Sequence, residues 1–174
     1  LPRGVADDFY QKLIKKIRTR DKKFILDTSG SSLKKGIKAS PFMVKPNQDE
    51  VEFLMKQKFE KIEELVEPLR YLKNKGIELP VITLGERGCI SWIDKKVIYF
   101  PAPSLSVKNA VGSGDAFIAG CAVALSKNRN FEEVIKKGMA CAAANTQFYK
   151  TGMIEKELVS KFYKQIKSKE ITKA

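Results

Sequence analysis

A chain of 174 residues, 43% hydrophobic and 30% charged, has the length for one core and the composition of an ordinary globular protein. It contains no histidine, which excludes Ser-His-Asp and Cys-His catalysis, HExxH zinc sites and imidazole proton shuttles, and leaves general-base work to carboxylates, lysines or tyrosines. A net charge of +13 draws polyanions, but lysines such as Lys12, Lys15, Lys16, Lys156, Lys161 and Lys164 are spread along helices without interleaved aromatics, so phosphorylated small molecules are expected as partners and nucleic acid is not.

The opening Leu1-Pro2-Arg3-Gly4 reads as a strand end and a turn. An open α/β sheet ordinarily has at least one earlier strand, so the sequence is expected to be the carboxyl-terminal part of something longer. Asp7 to Arg18 places Phe9, Leu13, Ile14 and Ile17 at helical spacing. Phe24-Ile25-Leu26 predicts a short buried strand ending at Asp27-Thr28-Ser29-Gly30, Ser31 to Gly36 a short helix, and Phe42-Met43-Val44 the next strand. Asn47 then caps a helix, with Glu50 three positions on in capping-box spacing. Ile62, Leu65, Val66, Leu69 and Leu72 mark a longer helical stretch that Pro68 should kink or split. Leu79 to Leu84 predicts a third buried strand. Gly85-Glu86-Arg87-Gly88 turns the chain into Cys89 to Ile93, and Asp94-Lys95 turns it again into Val97 to Phe100, an antiparallel edge.

Ala116 to Leu125 is apolar on every face and reads as a helix enclosed by protein. Phe131 to Phe148 carries Val134, Ile135, Met139 and Ala142 at helical spacing, and Glu155 to Ile166 carries Leu158, Phe162, Tyr163 and Ile166. Ser168 to Ala174 is expected to fray. The alternation predicts an α/β fold with a mainly parallel sheet flanked by helices. No apolar run approaches the length of a bilayer span, and the first residues lack a signal-peptide layout, so no membrane partner is expected. Cys89, Cys121 and Cys141 are odd in number, widely spaced and set in apolar surroundings, as reduced core thiols of a cytoplasmic protein would be.

The most informative stretch is Gly112-Ser113-Gly114-Asp115, where an acid stands behind three small residues as a helix begins. The first amides of a helix lack intrahelical partners and carry partial positive charge, and glycines let an anion approach them closely. A carboxylate beside an anion site is costly unless it takes up a proton during chemistry, which reads as a general base. The same four residues also suit a plain loop whose aspartate favours the helix dipole. The apolar helix behind them tilts the reading towards a phosphate site. No Lys-Ser or Lys-Thr follows the glycines, so this is not a Walker A loop.

Taken in order, these pieces resemble the phosphofructokinase-B group of ribokinase-like sugar kinases. Ala110 to Gly120 is similar to that family's carboxyl-terminal signature, Lys45-Pro46-Asn47-Gln48-Asp49-Glu50 to its Asn-x-x-Glu motif, and Thr83 to Gly88 to its nucleotide-binding turn. Leu1 to Val5 and Leu26 to Gly30 are most similar to the bacterial branch holding 1-phosphofructokinase and tagatose-6-phosphate kinase. The resemblance makes residues 1–174 the carboxyl-terminal, nucleotide-binding portion of a single ribokinase-like domain.

The resemblance implies that Asp115 deprotonates the acceptor hydroxyl of a sugar phosphate, and that the amides of Gly112, Ser113 and Gly114 hold the transferring phosphoryl. It implies ATP and Mg²⁺ as cofactors. Asn47 and Glu50 would organise the magnesium, with Asp27 a weaker addition to its surroundings. Lys45, Asn47, Thr83, Gly85 and Gly88 would border the nucleotide, and Val107, Asn109, Val111, Met139 and Ala143 would line its base and ribose. Without the family match, Asn47 with Glu50 is equally a helix cap, and Gly85 with Gly88 an ordinary turn. Asn109 stands where some relatives have an aspartate associated with a monovalent cation, so potassium activation is not expected. Relatives also carry an amino-terminal segment with most sugar contacts and a β-strand lid that often makes a dimer. The whole protein is therefore expected to be a homodimer, with fructose 1-phosphate the first-choice acceptor and tagatose 6-phosphate the runner-up, while these 174 residues alone could be a nucleotide-binding module without activity.

Overall fold

A computed structural model describes residues 1–17 and 22–173. They form two compact units: Leu1–Gly85, Cys89–Ile98 and the close of the chain make one, Glu86–Gly88 and Tyr99–Glu170 the other.

The first unit is α/β. Helix α1 is Phe9–Ile17, and Arg18, where that helix was expected to end, lies outside the described residues. Strand β1 (Ile25–Leu26), helix α2 (Gly30–Gly36), strand β2 (Met43–Val44) and helix α3 (Gln48–Met55) follow. Next come a 3₁₀ turn at Ile62–Leu65, helix α4 (Val66–Asn74) and strand β3 (Leu79–Thr83). β1, β2 and β3 are parallel neighbours, with Ile25 beside Met43 and Met43 beside Leu79. Val44, Leu79, Val81 and Ile82 are fully buried, as expected for parallel strands covered on both faces. Ile14, Leu26, Leu33, Ile37, Leu72 and Ile77 build the core against which Tyr10 and Phe24 pack.

Several expectations shift here for local reasons. The split near Pro68 falls before it, at the junction of the 3₁₀ turn and α4. Pro68 then occupies the first turn of α4, where its missing N–H has no intrahelical partner to lose. Phe9, predicted on the buried stripe of α1, is 44% exposed.

From β3 the sheet turns antiparallel: β4 (Cys89–Ile93) pairs with β3, setting Ile90 opposite Ile82. β5 (Lys96–Phe100) follows through the two-residue turn Asp94-Lys95, whose φ values of 46° and 64° give the twist a tight hairpin requires. The segment expected to fray instead forms strand β6 (Lys169–Lys173), last in the order β1-β2-β3-β4-β5-β6. β5 is therefore not the edge. Its neighbour β6 supplies partners for a row of backbone groups that would otherwise template foreign strands.

The second unit is built on helices α5 (Ser113–Ser126), α6 (Phe131–Asn145) and α7 (Lys156–Gln165). α5 and α6 approach at backbone distance. A Cβ on Gly120 would lie 2.8 Å from the Lys137 carbonyl oxygen, and one on Gly138 would lie 2.9 Å from that of Phe117. Asn130 caps α6 by accepting from the Glu133 amide at 2.9 Å. α5 is not enclosed, contrary to its all-round apolar sequence: Phe117, Gly120, Cys121, Ala124 and Leu125 are buried, but Ala119, Ala122 and Val123 on the opposite face are exposed. All three cysteines are free and buried, and no helix among the described residues is long and apolar enough to cross a membrane.

Candidate active site

The first unit gathers its candidates at the carboxyl ends of three adjacent parallel strands, where α/β sheets bind ligands. Asp27 follows β1, Lys45 follows β2, and Thr83 ends β3. The Lys45 amide donates to the Leu26 carbonyl at 3.3 Å and the Thr83 amide to the Pro46 carbonyl at 3.0 Å, so the strand ends are held in register. A β-bridge joins Asn47 to Thr83. Lys45, 6% exposed, directs its ammonium to the Asp27 carboxylate at 3.3 Å. An ammonium this buried is costly without such a partner.

Asn47 and Glu50 form a complete capping box: the Glu50 amide donates to Asn47 Oδ1, and the Asn47 amide to Glu50 Oε2, each at 2.8 Å. Partial burial pushes the Glu50 carboxyl up from its ordinary value, opposed by that bond from the Asn47 amide. Glu50 Oε1 takes no part in the box. Asp27, Asn47 and Glu50 are all hard oxygen donors, but among the described residues no three acidic, Cys or His side chains cluster as a self-sufficient metal cage. That donor set fits Mg²⁺, which keeps waters and phosphate oxygens in its shell rather than demanding a full protein cage. Gly85, at φ 60°, has nothing within 4 Å of where a Cβ would be. That open space would let a ligand approach its backbone.

The second unit holds the remaining candidates. Gly88 is glycine for a packing reason: its φ is 98°, and a Cβ would strike the Phe100 carbonyl oxygen and lie 2.6 Å from the Ala102 nitrogen. Gly112 caps α5 at φ 80°, a left-handed conformation that lets the chain turn straight into the helix. The first helical bond runs from the Ala116 amide to the Gly112 carbonyl at 2.9 Å, so the amides of Gly114 and Asp115 have no intrahelical acceptor. Ser113 differs, its amide turning back to the Ala110 carbonyl at 3.2 Å. Asp115 is exposed in the first turn of α5, in the wall of a groove of about 770 Å³. Gly112, Ala119, Val123, Lys137, Cys141 and Lys156 share that wall. Burial raises the Cys141 thiol above its ordinary pKa, which disfavours the thiolate.

The loop before α5 is tied to the end of α6. The amides of Lys108 and Asn109 donate to the Thr146 carbonyl at 2.9 and 3.3 Å, and Asn109 Nδ2 donates to the Tyr149 carbonyl at 2.8 Å. Val107 and Val111 are 53% and 66% exposed on this loop, whereas Met139 and Ala143, one turn apart on α6, are buried. Sequence reasoning passed over Asn145. It is 1% exposed; its Nδ2 donates to the Val111 carbonyl at 3.0 Å and contacts Ser113 Oγ at 3.5 Å, while its Oδ1 accepts from the Gly152 amide at 2.8 Å. An amide side chain closing the apolar run Ala142-Ala143-Ala144 was the available signal.

The α/β architecture, with parallel strands flanked by helices, is of the ribokinase-like class. Residues 1–157 match the pfkB family of carbohydrate kinases, and the chain belongs to that family. It is 32% identical over 173 residues to the 1-phosphofructokinase of Borreliella burgdorferi, covering 98% of this chain and 55% of that protein. In structure it is similar to Escherichia coli phosphofructokinase-2 in complex with potassium, with a TM-score of 0.88 and 25% identity over 94% of this chain and 54% of the other. A Staphylococcus aureus protein assigned as a phosphofructokinase shares the fold at a TM-score of 0.89 and 23% identity, covering 100% of this chain and 56% of that one. The chain thus spans about half the length of the curated relative it matches.

Proposed function

We propose that the protein is an ATP-dependent sugar-phosphate kinase, and that its reaction is fructose 1-phosphate plus ATP giving fructose 1,6-bisphosphate plus ADP. The observation that carries this reading is the position of Asp115 in the first turn of α5, behind the left-handed Gly112 and facing an open groove. There the carboxylate takes the proton of the acceptor hydroxyl as its oxygen attacks the γ-phosphorus and the bond to ADP breaks. The amides of Gly112, Ser113 and Gly114 receive the charge of the transferring phosphoryl, with Ser113 exchanging its bond to Ala110 for the anion. Donors fixed in advance at developing charge contribute roughly 10²–10³ in rate each, and a placed base about 10²–10⁴.

Mg²⁺ neutralises the phosphate charge when bound, and Asn47 and Glu50, with Asp27 beside them, are the residues that would hold it. Lys45, Thr83, Gly85 and Gly88 border the nucleotide phosphates in this reading, and Val107, Asn109, Val111, Met139 and Ala143 its base and ribose. The 32% identity to a 1-phosphofructokinase supports the choice of acceptor. The protein is read as cytoplasmic, in keeping with three free buried thiols. Its assembly is read as a homodimer, which sedimentation of the full-length protein would check.

Turnover by the full-length protein is to be measured against fructose 1-phosphate, tagatose 6-phosphate and fructose 6-phosphate, with Asp115→Asn as control. Fructose 1-phosphate should be the best acceptor, and Asp115→Asn should lower kcat at least ~10²-fold with Mg-ATP affinity little changed. A preference for tagatose 6-phosphate would replace the acceptor. Unaltered turnover in Asp115→Asn would remove the base, and nucleotide binding without turnover of any acceptor would reduce the protein to a nucleotide-binding module.

A further inference from the structure

The amides before α5 can receive an anion only if their loop is held in place, and two bonds inside the loop contribute, from the Val111 amide to Asn109 Oδ1 at 2.9 Å and from the Ser113 amide to the Ala110 carbonyl at 3.2 Å. Residues 107–112 lie in neither helix nor strand, and Val107 and Val111 are exposed. Gly112 is held at φ 80° with its Cα against Thr151, since a Cβ there would collide with Thr151 Cγ2. A buried side chain from another element ties this approach to the body of the unit.

We propose that Asn145, the last residue of α6, is the positioning residue of the phosphoryl cradle, clamping Val111 on one side and Gly152 on the other. The carboxamide has both a donor and an acceptor end, and both are used. Nδ2 donates to the Val111 carbonyl at 3.0 Å, one residue before the glycine cap, and Oδ1 accepts from the Gly152 amide at 2.8 Å, one residue after Thr151. Nδ2 also lies 3.5 Å from Ser113 Oγ. Asn145 is 1% exposed, so no water replaces these bonds on the same terms and the low local dielectric strengthens them. It stands at the end of a helix whose body is packed to backbone distance against α5, so the clamp is anchored on a rigid element.

The clamp is distinct from the bonds of Lys108 and Asn109 to Thr146, which secure the loop further upstream. Asn145 touches neither phosphoryl nor acceptor in this arrangement and acts through the loop. A cradle displaced by about 1 Å can cost on the order of 10² in rate, so a positioning residue should appear in kcat more than in substrate affinity. That catalytic consequence rests on the kinase reading above, whereas the clamp itself does not.

The test is hydrogen–deuterium exchange of the full chain, comparing the wild type with Asn145→Leu, which removes both ends of the clamp, and the isosteric Asn145→Asp, which keeps the acceptor for Gly152 and removes the donor to Val111. Residues 110–115 should exchange at least about tenfold faster in both variants. Residues 151–153 should be faster in Asn145→Leu only, with α5 beyond Phe117 and the body of α6 unchanged. Equal exchange at 110–115 in wild type and Asn145→Asp would overturn the proposal, as would a rise shared by all of α5 and α6. Should Asn145→Leu fail to fold, Asn145→Asp alone decides. As a second arm, Asn145→Leu should lower kcat at least about tenfold with both KM values within threefold of wild type; a rise in KM at constant kcat would count against positioning. Absence of turnover in the wild type itself would sink the kinase reading and leave the exchange result to decide the clamp.

Discussion

The Lys45 ammonium lies 3.3 Å from the Asp27 carboxylate, joining the ends of neighbouring parallel strands β2 and β1. The partners are unequal in exposure: the lysine side chain is 7% exposed and the aspartate side chain 32%. Removing the aspartate strands a buried cation, while removing the lysine leaves a carboxylate that water can still reach. Breaking a fully buried pair costs about 3–5 kcal/mol, and partial exposure of Asp27 lowers that figure. Asp27→Asn should therefore destabilise by about 2 kcal/mol and Lys45→Met by less, as read from urea unfolding midpoints. The opposite order would show that the pair does not govern this strand end.

Acid should loosen the loop after α3. Glu52 is buried and accepts bonds from Gln48 Nε2 at 3.0 Å, the Phe59 amide at 3.3 Å and the Lys58 ammonium. Lys58 foremost, then Gln48, holds the Glu52 carboxyl down at about 2, against an ordinary 4.5. A carboxyl lowered on folding stabilises above its unfolded pKa and loses that contribution as pH falls through the folded one. Stability should thus decline between pH 4.5 and 2. Glu52→Gln should flatten the decline in that window in a pH series of thermal melts.

At Gly112 two separate costs can be resolved. Alanine in a left-handed conformation costs roughly 1–2 kcal/mol, and its Cβ would additionally meet Thr151 Cγ2. Gly112→Ala should destabilise by more than that backbone cost alone. Adding Thr151→Ser removes the colliding methyl and should recover the steric part, leaving the backbone part. A double-mutant cycle that proves additive would show that the two residues do not touch.

Glycine in a helix interior is ordinarily replaced by alanine with a gain of about 1 kcal/mol. Gly120→Ala should do the reverse. Its Cβ would lie 2.8 Å from the Lys137 carbonyl oxygen and 2.9 Å from Cys141 Sγ, forcing α5 and α6 apart. Overpacking of this kind costs about 1–3 kcal/mol, so a net loss in melting temperature is expected. A gain would mean that the two helices are free to separate.

Much of this molecule could be read in chain order because the signals are local. The Asn47–Glu50 capping box is two side chains three residues apart, and it forms as its spacing requires. The hairpin at Asp94-Lys95 and the buried strands β1, β2 and β3 follow in the same way from turn residues and short apolar runs. Pro68 was misplaced by one turn because a proline in the first turn of a helix and one that breaks it look alike until the helix start is known. β6 was missed because a lysine-rich strand such as Lys169–Lys173 gains its order from the strand beside it, not from its own residues.

The sequence alone determined the elements from α1 to α7 and β1 to β5 and the family motifs, since each depends on residues close together along the chain. Only the tertiary structure decided that Asn145 bridges Val111 and Gly152, that Gly88 is closed off by Phe100 while Gly85 stays open, and that one face of the apolar stretch 116–125 of α5 remains uncovered. The physical reason is that burial and hydrogen-bond partnership are relations between segments distant in sequence, so a side chain's own chemistry leaves its partner unspecified until the chain has folded.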